Sequence, residues 1–340
     1  MENLLNFNEE RYLKVTNGAV GLRNQIEKSI DEVSKKDFKN IFLLGSGGSI
    51  AIMYPFEYIL NSVSTIPAYA EIASEFMLQN HKQFGKDSLV ILSSLSGTTE
   101  ETVAAAEYCK KFGATTIGLA GELGTPLANI VDYPIINYAE NDFAADSINL
   151  QMYTVVFRLI YNNGDFPAYD KFISELQFIP EELVNVKKAS EKKAEEFALK
   201  YKDENYHMLV GSGTAWGRTY AYAMCVLEEM QWIPTKSIHA AEFFHGTIEL
   251  VDENTSMILL TSEDETRPLM ERVENFAKKY TNKLTIMDTK DYPLEGISPE
   301  FRKYLAPLVL ATALQRFSVH LEDKREHSLE TRRYYRTVAY

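Results

Sequence analysis

The chain has 340 residues, with 35 Lys and Arg against 48 Asp and Glu and a formal net charge of −13. At 45% hydrophobic and 24% charged residues it has the composition of an ordinary globular protein of about two domains, which excludes a disordered chain, a collagen-like repeat and a small disulfide scaffold. The acidic excess also argues against a broad basic face for nucleic acid, while leaving room for a local pocket that takes one small anion.

Cys109 and Cys225 are the only cysteines. They form no disulfide framework, so a reducing compartment is expected. The first residues, Met1 to Arg11, are polar and acidic, without the apolar core of a signal peptide. No apolar run approaches the roughly 18 residues of a membrane span. The expectation is a cytoplasmic protein with neither nucleic acid nor membrane as partner.

Residues 1–35 are expected to be a helical segment ahead of a first α/β domain at 36–165. Within that domain Asn40 to Leu44 is a short apolar run that ends at Gly45, followed by helical periodicity from Ser49 to Leu60. Ser88 to Ser93 predicts a buried strand and Thr99 to Phe112 a helix. Thr115 to Ala120 and Pro134 to Tyr138 predict further strands, and Ser147 to Tyr161 a closing helix. Continuous apolar runs between amphipathic helices imply a parallel sheet covered on both faces. Asn162-Asn163-Gly164-Asp165-Phe166-Pro167 is a turn-rich break, and residues 166–202 are expected as a link whose charged stretch from Pro180 to Lys202 is helical.

The remainder, 203–340, repeats the scheme. His207 to Val210 runs into Gly211-Ser212-Gly213, with a helix from Arg218 to Met230. Met257 to Thr261 and Lys283 to Met287 predict strands around a helix from Leu269 to Tyr280, and Leu305 to Leu321 a last apolar helix. The expected fold is α/β: two tandem doubly wound parallel-sheet domains, flavodoxin- or Rossmann-like, each a three-layer αβα stack.

Two loops of the first domain carry the chemistry. Gly45-Ser46-Gly47-Gly48-Ser49 and Ser93-Ser94-Leu95-Ser96-Gly97-Thr98-Thr99 each join a strand to a helix. Glycines let the backbone approach a ligand. A helix N-terminus offers unpaired N–H groups and the positive end of its dipole, and hydroxyls add donors without bulk. Together they predict a site for a phosphate monoester at the carboxyl ends of the strands, with Gly47, Gly48, Ser49, Ser94, Ser96 and Thr99 as its candidates. The bland alternative is a tight turn and two helix caps. Neither a P-loop nor a dinucleotide fingerprint fits the spacing. No His/Cys/Asp/Glu spacing predicts a metal site.

Ser94-Leu95-Ser96-Gly97-Thr98-Thr99-Glu100-Glu101-Thr102 resembles the Ser-x-Ser-Gly-x-Thr-x-Glu/Asp-Thr loop of sugar isomerase (SIS) domains. The stretch from Glu229 through Ser237-Ile238-His239-Ala240-Ala241-Glu242-Phe243-Phe244-His245-Gly246 is similar to their second-domain catalytic segment. Thr331-Arg332-Arg333-Tyr334-Tyr335 is similar to the tail of one branch, the fructosamine-6-phosphate deglycases, which act on fructoselysine, glucoselysine or fructose-asparagine 6-phosphates. The resemblance spans about Asn40 to Tyr340. It implies a homodimer or higher even assembly with a shared active site, no cofactor, and phosphate held by Ser49, Ser94, Ser96 and Thr99. By analogy with glucosamine-6-phosphate synthase it makes Glu229 the base at C1/C2, and His245, from the neighbouring subunit, the group at the ring oxygen. Ser147, His239, Arg332 and Tyr334 are further candidates. Glu242 is a reserve, expected with His239 to cap a helix at Phe243, and His320 and His327 could be interface residues.

Three positions depart from the family pattern. Leu95 replaces a glutamine between the serines, Thr247 replaces the proline after His245-Gly246, and Tyr334 stands where the synthase has a tail lysine; Lys324 is the last lysine. With the first strand near Asn40, a glutaminase domain is not expected. The resemblance therefore implies deglycation of a sugar–amino acid 6-phosphate to glucose 6-phosphate and free amino acid, with a glucosamine-6-phosphate isomerase or deaminase, or a non-catalytic sugar-phosphate sensor, as the alternatives. The released amino acid stays open between a lysine, read by Glu263, Asp264 and Glu265, and a short α-linked one, read by Arg332 or Arg333, with a tilt to the latter.

Overall fold

The computed structural model describes residues 4–137, 143–335 and 337–338. The chain divides into an N-terminal unit, Glu9–Pro180, and a C-terminal unit, Met1–Asn8 with Glu181–Tyr340.

The N-terminal unit opens with α1 (Glu9–Gly21) and α2 (Arg23–Ser34), which pack on a later helix, and then alternates: β1 (Asn40–Gly45), α3 (Gly48–Val63), β2 (Ala68–Ile72), α4 (Ala73–Gln79), β3 (Ser88–Ser93), α5 (Glu100–Lys111), β4 (Thr115–Ala120), α6 (Pro126–Ile130), β5 (Tyr133–Ile136), α7 (Ala144–Asn162) and α8 (Tyr169–Glu175). The strands are parallel in the order β2-β1-β3-β4-β5. Every residue of β1 and β3 is buried, as a central strand covered on both faces requires. Phe42, Leu44, Val90 and Leu92 pack on Phe76, Ala105, Ala106 and Cys109. Burial pushes the Cys109 thiol up to about 12, so it serves as core.

The C-terminal unit repeats the plan with α9 (Ile179–Tyr201), β6 (His207–Gly211), α10 (Trp216–Ala221), a π-helix (Tyr222–Glu228), β7 (Thr235–His239), β8 (Ser256–Thr261), α11 (Arg267–Tyr280), β9 (Lys283–Asp288) and α12 (Pro299–Arg325). Its order, β7-β6-β8-β9, is the first sheet's order without the last strand, and again all parallel. Met208, Val210, Met257 and Leu259 pack on Phe243, Met270, Val273 and Ala277. In both sheets the order reverses beside the first strand, and the loops leaving β1 and β3, or β6 and β8, open on that crevice.

The two strands that periodicity does not predict, β2 and β7, are both edge strands. β7 is half-buried at all its positions, so neither strand shows the solid apolar run of its inner neighbours. The single helix expected over Arg218 to Met230 is instead α10 followed by the π-helix. The helix expected at Phe243 is absent: residues 240–246 are turns, followed by one 3₁₀ turn, Thr247–Leu250. The last helix begins earlier than expected, at Pro299, because Ser298 and that N1 proline start it. The expected strand end at Tyr138 lies outside the described residues. Among those residues no helix is long and apolar enough to cross a membrane.

Candidate functional site

Gly47 precedes the first turn of α3 at φ +56°, a conformation that a side chain at that position would strain. The turn is closed by Ser49 N–H on the Ser46 carbonyl at 3.1 Å. Gly48 is exposed, and Ser49 half-buried. In the second loop the Ser94 and Thr99 hydroxyls bond each other at 2.9 Å, and Thr98 Oγ1 donates to Ser96 Oγ at 2.9 Å. Thr99 stands at the cap position of α5, yet its side chain makes no cap hydrogen bond. Gly47 likewise leaves α3 without a side-chain cap. Buried Ser46 Oγ and Ser93 Oγ have no partner among the described residues. Both helix starts lie on the crevice of one sheet, with the hydroxyls of the two loops beside them; the missing side-chain cap is shared by Thr125 before α6 and Thr266 before α11.

Ser147 lies in the first turn of α7, is buried, and accepts from Asn137 Nδ2 at 2.5 Å. That amide also donates to the Val15 carbonyl. The hydroxyl is therefore held from inside the unit.

The equivalent loops of the C-terminal unit are filled from within. Asp264 accepts from Thr214 N–H and Oγ1 at 2.7 and 2.6 Å, from Ser262 Oγ at 2.7 Å, and from Thr266 N–H and Oγ1 at 2.9 and 2.6 Å. Ser212 Oγ completes the ring by donating to Thr266 Oγ1 at 2.8 Å. A Cβ on Gly213 would stand 2.5 Å from either Asp264 oxygen, so the glycine makes room for the carboxylate. Burial would raise the Asp264 carboxyl, but the hydrogen bonds from Thr214, Thr266 and Ser262 outweigh it and hold the group below its ordinary value. In the sequence this loop is plainly acidic, Ser262-Glu263-Asp264-Glu265. The sequence does not reveal that the carboxylate turns inward and takes the donors.

Glu229 sits where the backbone is least regular. Its N–H closes a π turn on the Met224 carbonyl at 3.0 Å, and π turns inside helices cluster at functional sites. Three residues on, Trp232 ends the helix at φ +55°, a place usually given to glycine. A bulky residue held there costs of order 1–3 kcal/mol. Trp232 is fixed by the His327 ring at 4.6 Å and by Arg333 over its face at 4.3 Å. Gln231, fully buried, donates to the His327 carbonyl at 2.8 Å. The chain from Arg325 to Arg333 is thus laid against the end of the π-helix, and Arg332 Nε pairs with Glu229 Oε1 at 3.0 Å. Its neighbour Glu228 accepts from Thr235 Oγ1 at 2.5 Å, so the two adjacent glutamates have separate partners. Cys225, one turn back, is pushed up to about 12 by burial and then by the Glu229 charge.

His245 is exposed on the turn before Gly246, and its ring makes no hydrogen bond, ion pair or ring contact among the described residues. His239, at the end of β7, lies edge-to-face with Trp216 at 5.5 Å and accepts the Ala241 N–H at 3.2 Å. Burial lowers its pKa against the opposing charge of Glu242. Of the tail candidates, Tyr334 is exposed and Arg333 stacks on Trp232. His320 is buried with Nε2 3.1 Å from Glu191, and His327 is occupied by Trp232.

Comparison with known proteins shows the family of the chain. The SIS domain family matches residues 36–160. The fructosamine deglycase FrlB of Bacillus subtilis is 36% identical over 326 residues, covering 94% of this chain and 98% of its own. The fructoselysine 6-phosphate deglycase of Escherichia coli is 24% identical over 310 residues, covering 90% and 88%. A Bacillus subtilis crystal structure, described as a candidate phosphosugar isomerase, superposes with a TM-score of 0.90 at 34% identity over 95% of this chain and 99% of its own.

Proposed function

We infer the activity from membership: this chain belongs to the SIS-domain family, in the branch that holds the fructosamine deglycases, and it is an enzyme that hydrolyses a fructosamine 6-phosphate to glucose 6-phosphate and a free amine. The observation that carries the reading is the pair of hydroxyl loops after β1 and β3, in a chain that also presents Glu229 beside a guanidinium. Gly47, Gly48, Ser49, Ser94, Ser96 and Thr99 hold the phosphate. His245 opens the ring by proton transfer at the ring oxygen, which an imidazole can do near neutral pH. Glu229 takes a proton from C1. The C1–H electron pair becomes the C1–C2 double bond, and the ketone oxygen gains a proton, giving an enaminol. A proton returned to C2 moves the double bond to C1 and nitrogen. Water adds to C1 of that imine, the carbon–nitrogen bond breaks, and the aldehyde of glucose 6-phosphate is left. One base and one proton donor account for every transfer.

The exposed His245 ring supports a role in the neighbouring copy, so the working form is a homodimer or a higher even assembly. Release of glucose 6-phosphate, followed with glucose-6-phosphate dehydrogenase, tests the reaction. Glu229→Gln is expected to lower kcat about 10³-fold, within the range for a general base. Turnover of glucosamine 6-phosphate with none of any fructosamine 6-phosphate would overturn the assignment. Mixing inactive Glu229→Gln with inactive His245→Ala tests the shared site, and some activity should return.

A further inference from the structure

The geometry points to Arg332 as the residue that reads the amino-acid half of the substrate: its guanidinium binds the α-carboxylate of an amino acid joined to the sugar through its α-nitrogen. The assignment rests on the deglycase reading, with Glu229 as the C1 base.

Distance is the first argument. Arg332 Nε lies 3.0 Å from Glu229 Oε1, so a C1 atom within reach of the base is also close to the guanidinium. In an α-linked fructosamine the carboxylate carbon is three bonds from C1, roughly 3.8 Å when extended. In a lysine joined through its ε-nitrogen it is seven bonds away, roughly 8 Å. Only the first brings a carboxylate to a guanidinium that touches the base.

The donors of Arg332 are divided in a way that leaves room for such a ligand. Nη1 donates to the Leu329 and Thr331 carbonyls at 2.6 and 3.0 Å, and Nε faces Glu229. Nη2 has no protein partner among the described residues. Nη2 therefore keeps its N–H donors for a charge-assisted hydrogen bond to a ligand carboxylate beside Glu229. The guanidinium is also held in place, because Arg333 is stacked on Trp232 and Gln231 is bonded to the tail. A preorganised donor loses little on binding.

The competing readers are committed elsewhere. Glu263 is paired with Arg302 at 2.7 Å, Glu265 with Lys303 at 2.5 Å, and Asp264 is closed into its own loop. None of the three is left as an acidic wall for a lysine ammonium.

The test compares fructosyl-glycine 6-phosphate with fructosyl-methylamine 6-phosphate, which replaces the carboxylate by hydrogen. For the wild-type enzyme the glycine compound should lead in kcat/KM by about 30-fold, a common worth for hydrogen bonds to a charged group. Arg332→Met should erase that lead by slowing the glycine compound alone, and Arg332→Lys should restore part of it. Equal wild-type rates, or a loss in Arg332→Met that is the same for both compounds, would overturn the assignment while leaving the deglycase reading intact. Turnover of neither compound would overturn the Arg332 assignment, and the deglycase reading falls with it only if fructoselysine 6-phosphate is inert as well. If Arg332→Met fails to fold, the wild-type ratio alone decides.

Discussion

The loop after β3 runs Ser94-Leu95-Ser96 and reaches the helix at Thr99, while the loop after β8 runs Ser262-Glu263-Asp264 and reaches its helix at Thr266. Counted from the strand ends, Ser94 matches Ser262, Ser96 matches Asp264, and the two threonines share the position before the helix. The loops after β1 and β6 match in the same way, Gly45-Ser46-Gly47 against Gly211-Ser212-Gly213. In one unit the hydroxyls bond each other and two serine oxygens stay unpartnered. In the other a carboxylate collects five hydrogen bonds. Serine and threonine recur at the loop positions of both units, except that Gly48 stands where the C-terminal unit has Thr214. The C-terminal unit supplies a carboxylate, Asp264, from its own chain to these donors.

The largest effect should come from closing the open pair. Ser96→Asp puts a carboxylate where the C-terminal unit has one, and a phosphate would then meet a like charge at about 4 Å, a penalty of about 4 kcal/mol at the effective dielectric of a protein surface. We expect kcat/KM to fall about 10³-fold with folding intact, seen as loss of the thermal stabilisation that glucose 6-phosphate gives the wild type. A variant that still binds the sugar phosphate normally would break the correspondence between the loops.

Opening the closed pair is the converse. Asp264→Ala strands the Thr214, Ser262 and Thr266 donors and should cost about 3 kcal/mol in urea unfolding. Inorganic phosphate should restore part of that loss, measured in a Ser96→Asp background so that only the C-terminal loops can respond. A smaller change is expected from Ser94→Ala, which removes one hydroxyl from the open pair. It should raise KM about tenfold, the worth of one hydrogen bond to a charged group, and leave kcat nearly unchanged.

The inner strands and both open loops are legible in the sequence, because fully buried parallel strands are solid apolar runs and the glycines and hydroxyls follow them directly. The edge strands β2 (Ala-Tyr-Ala-Glu-Ile) and β7 (Thr-Lys-Ser-Ile-His) are not, since their residues make no continuous apolar run. Trp232 is invisible for a different reason: the usual mark of a left-handed cap is glycine, and here ring contacts hold a tryptophan in that conformation. Glu229 and His245 are visible through the family pattern, whereas the Arg332 pairing depends on where a tail some hundred residues later is laid. Asp264 shows the limit most sharply. Its charge can be read, but the direction of its side chain cannot, and that direction decides whether the loop repels an anion or replaces one.

The smallest effect separates the two carboxylate states by pH. The Asp264 carboxyl is held below its ordinary 3.8 by the hydrogen bonds it accepts, against its burial. A group depressed in the folded state stabilises fully above its unfolded value and loses that contribution as pH falls through the folded one. His207 also titrates in acid. Burial lowers it from 6.5 to about 4, so its contribution is complete above 6.5 and drains away between 6.5 and about 4. The two windows adjoin, and a wild-type curve alone would blend them. Asp264→Ala keeps His207 and lacks only the carboxylate, so the difference between the two unfolding free energies isolates Asp264. That difference should be flat from neutral pH down to about 4 and shrink below 3.8. A difference that grows on acidification would mean that the buried group is protonated in the folded protein, and that the loop is held by a neutral acid instead of an internal anion.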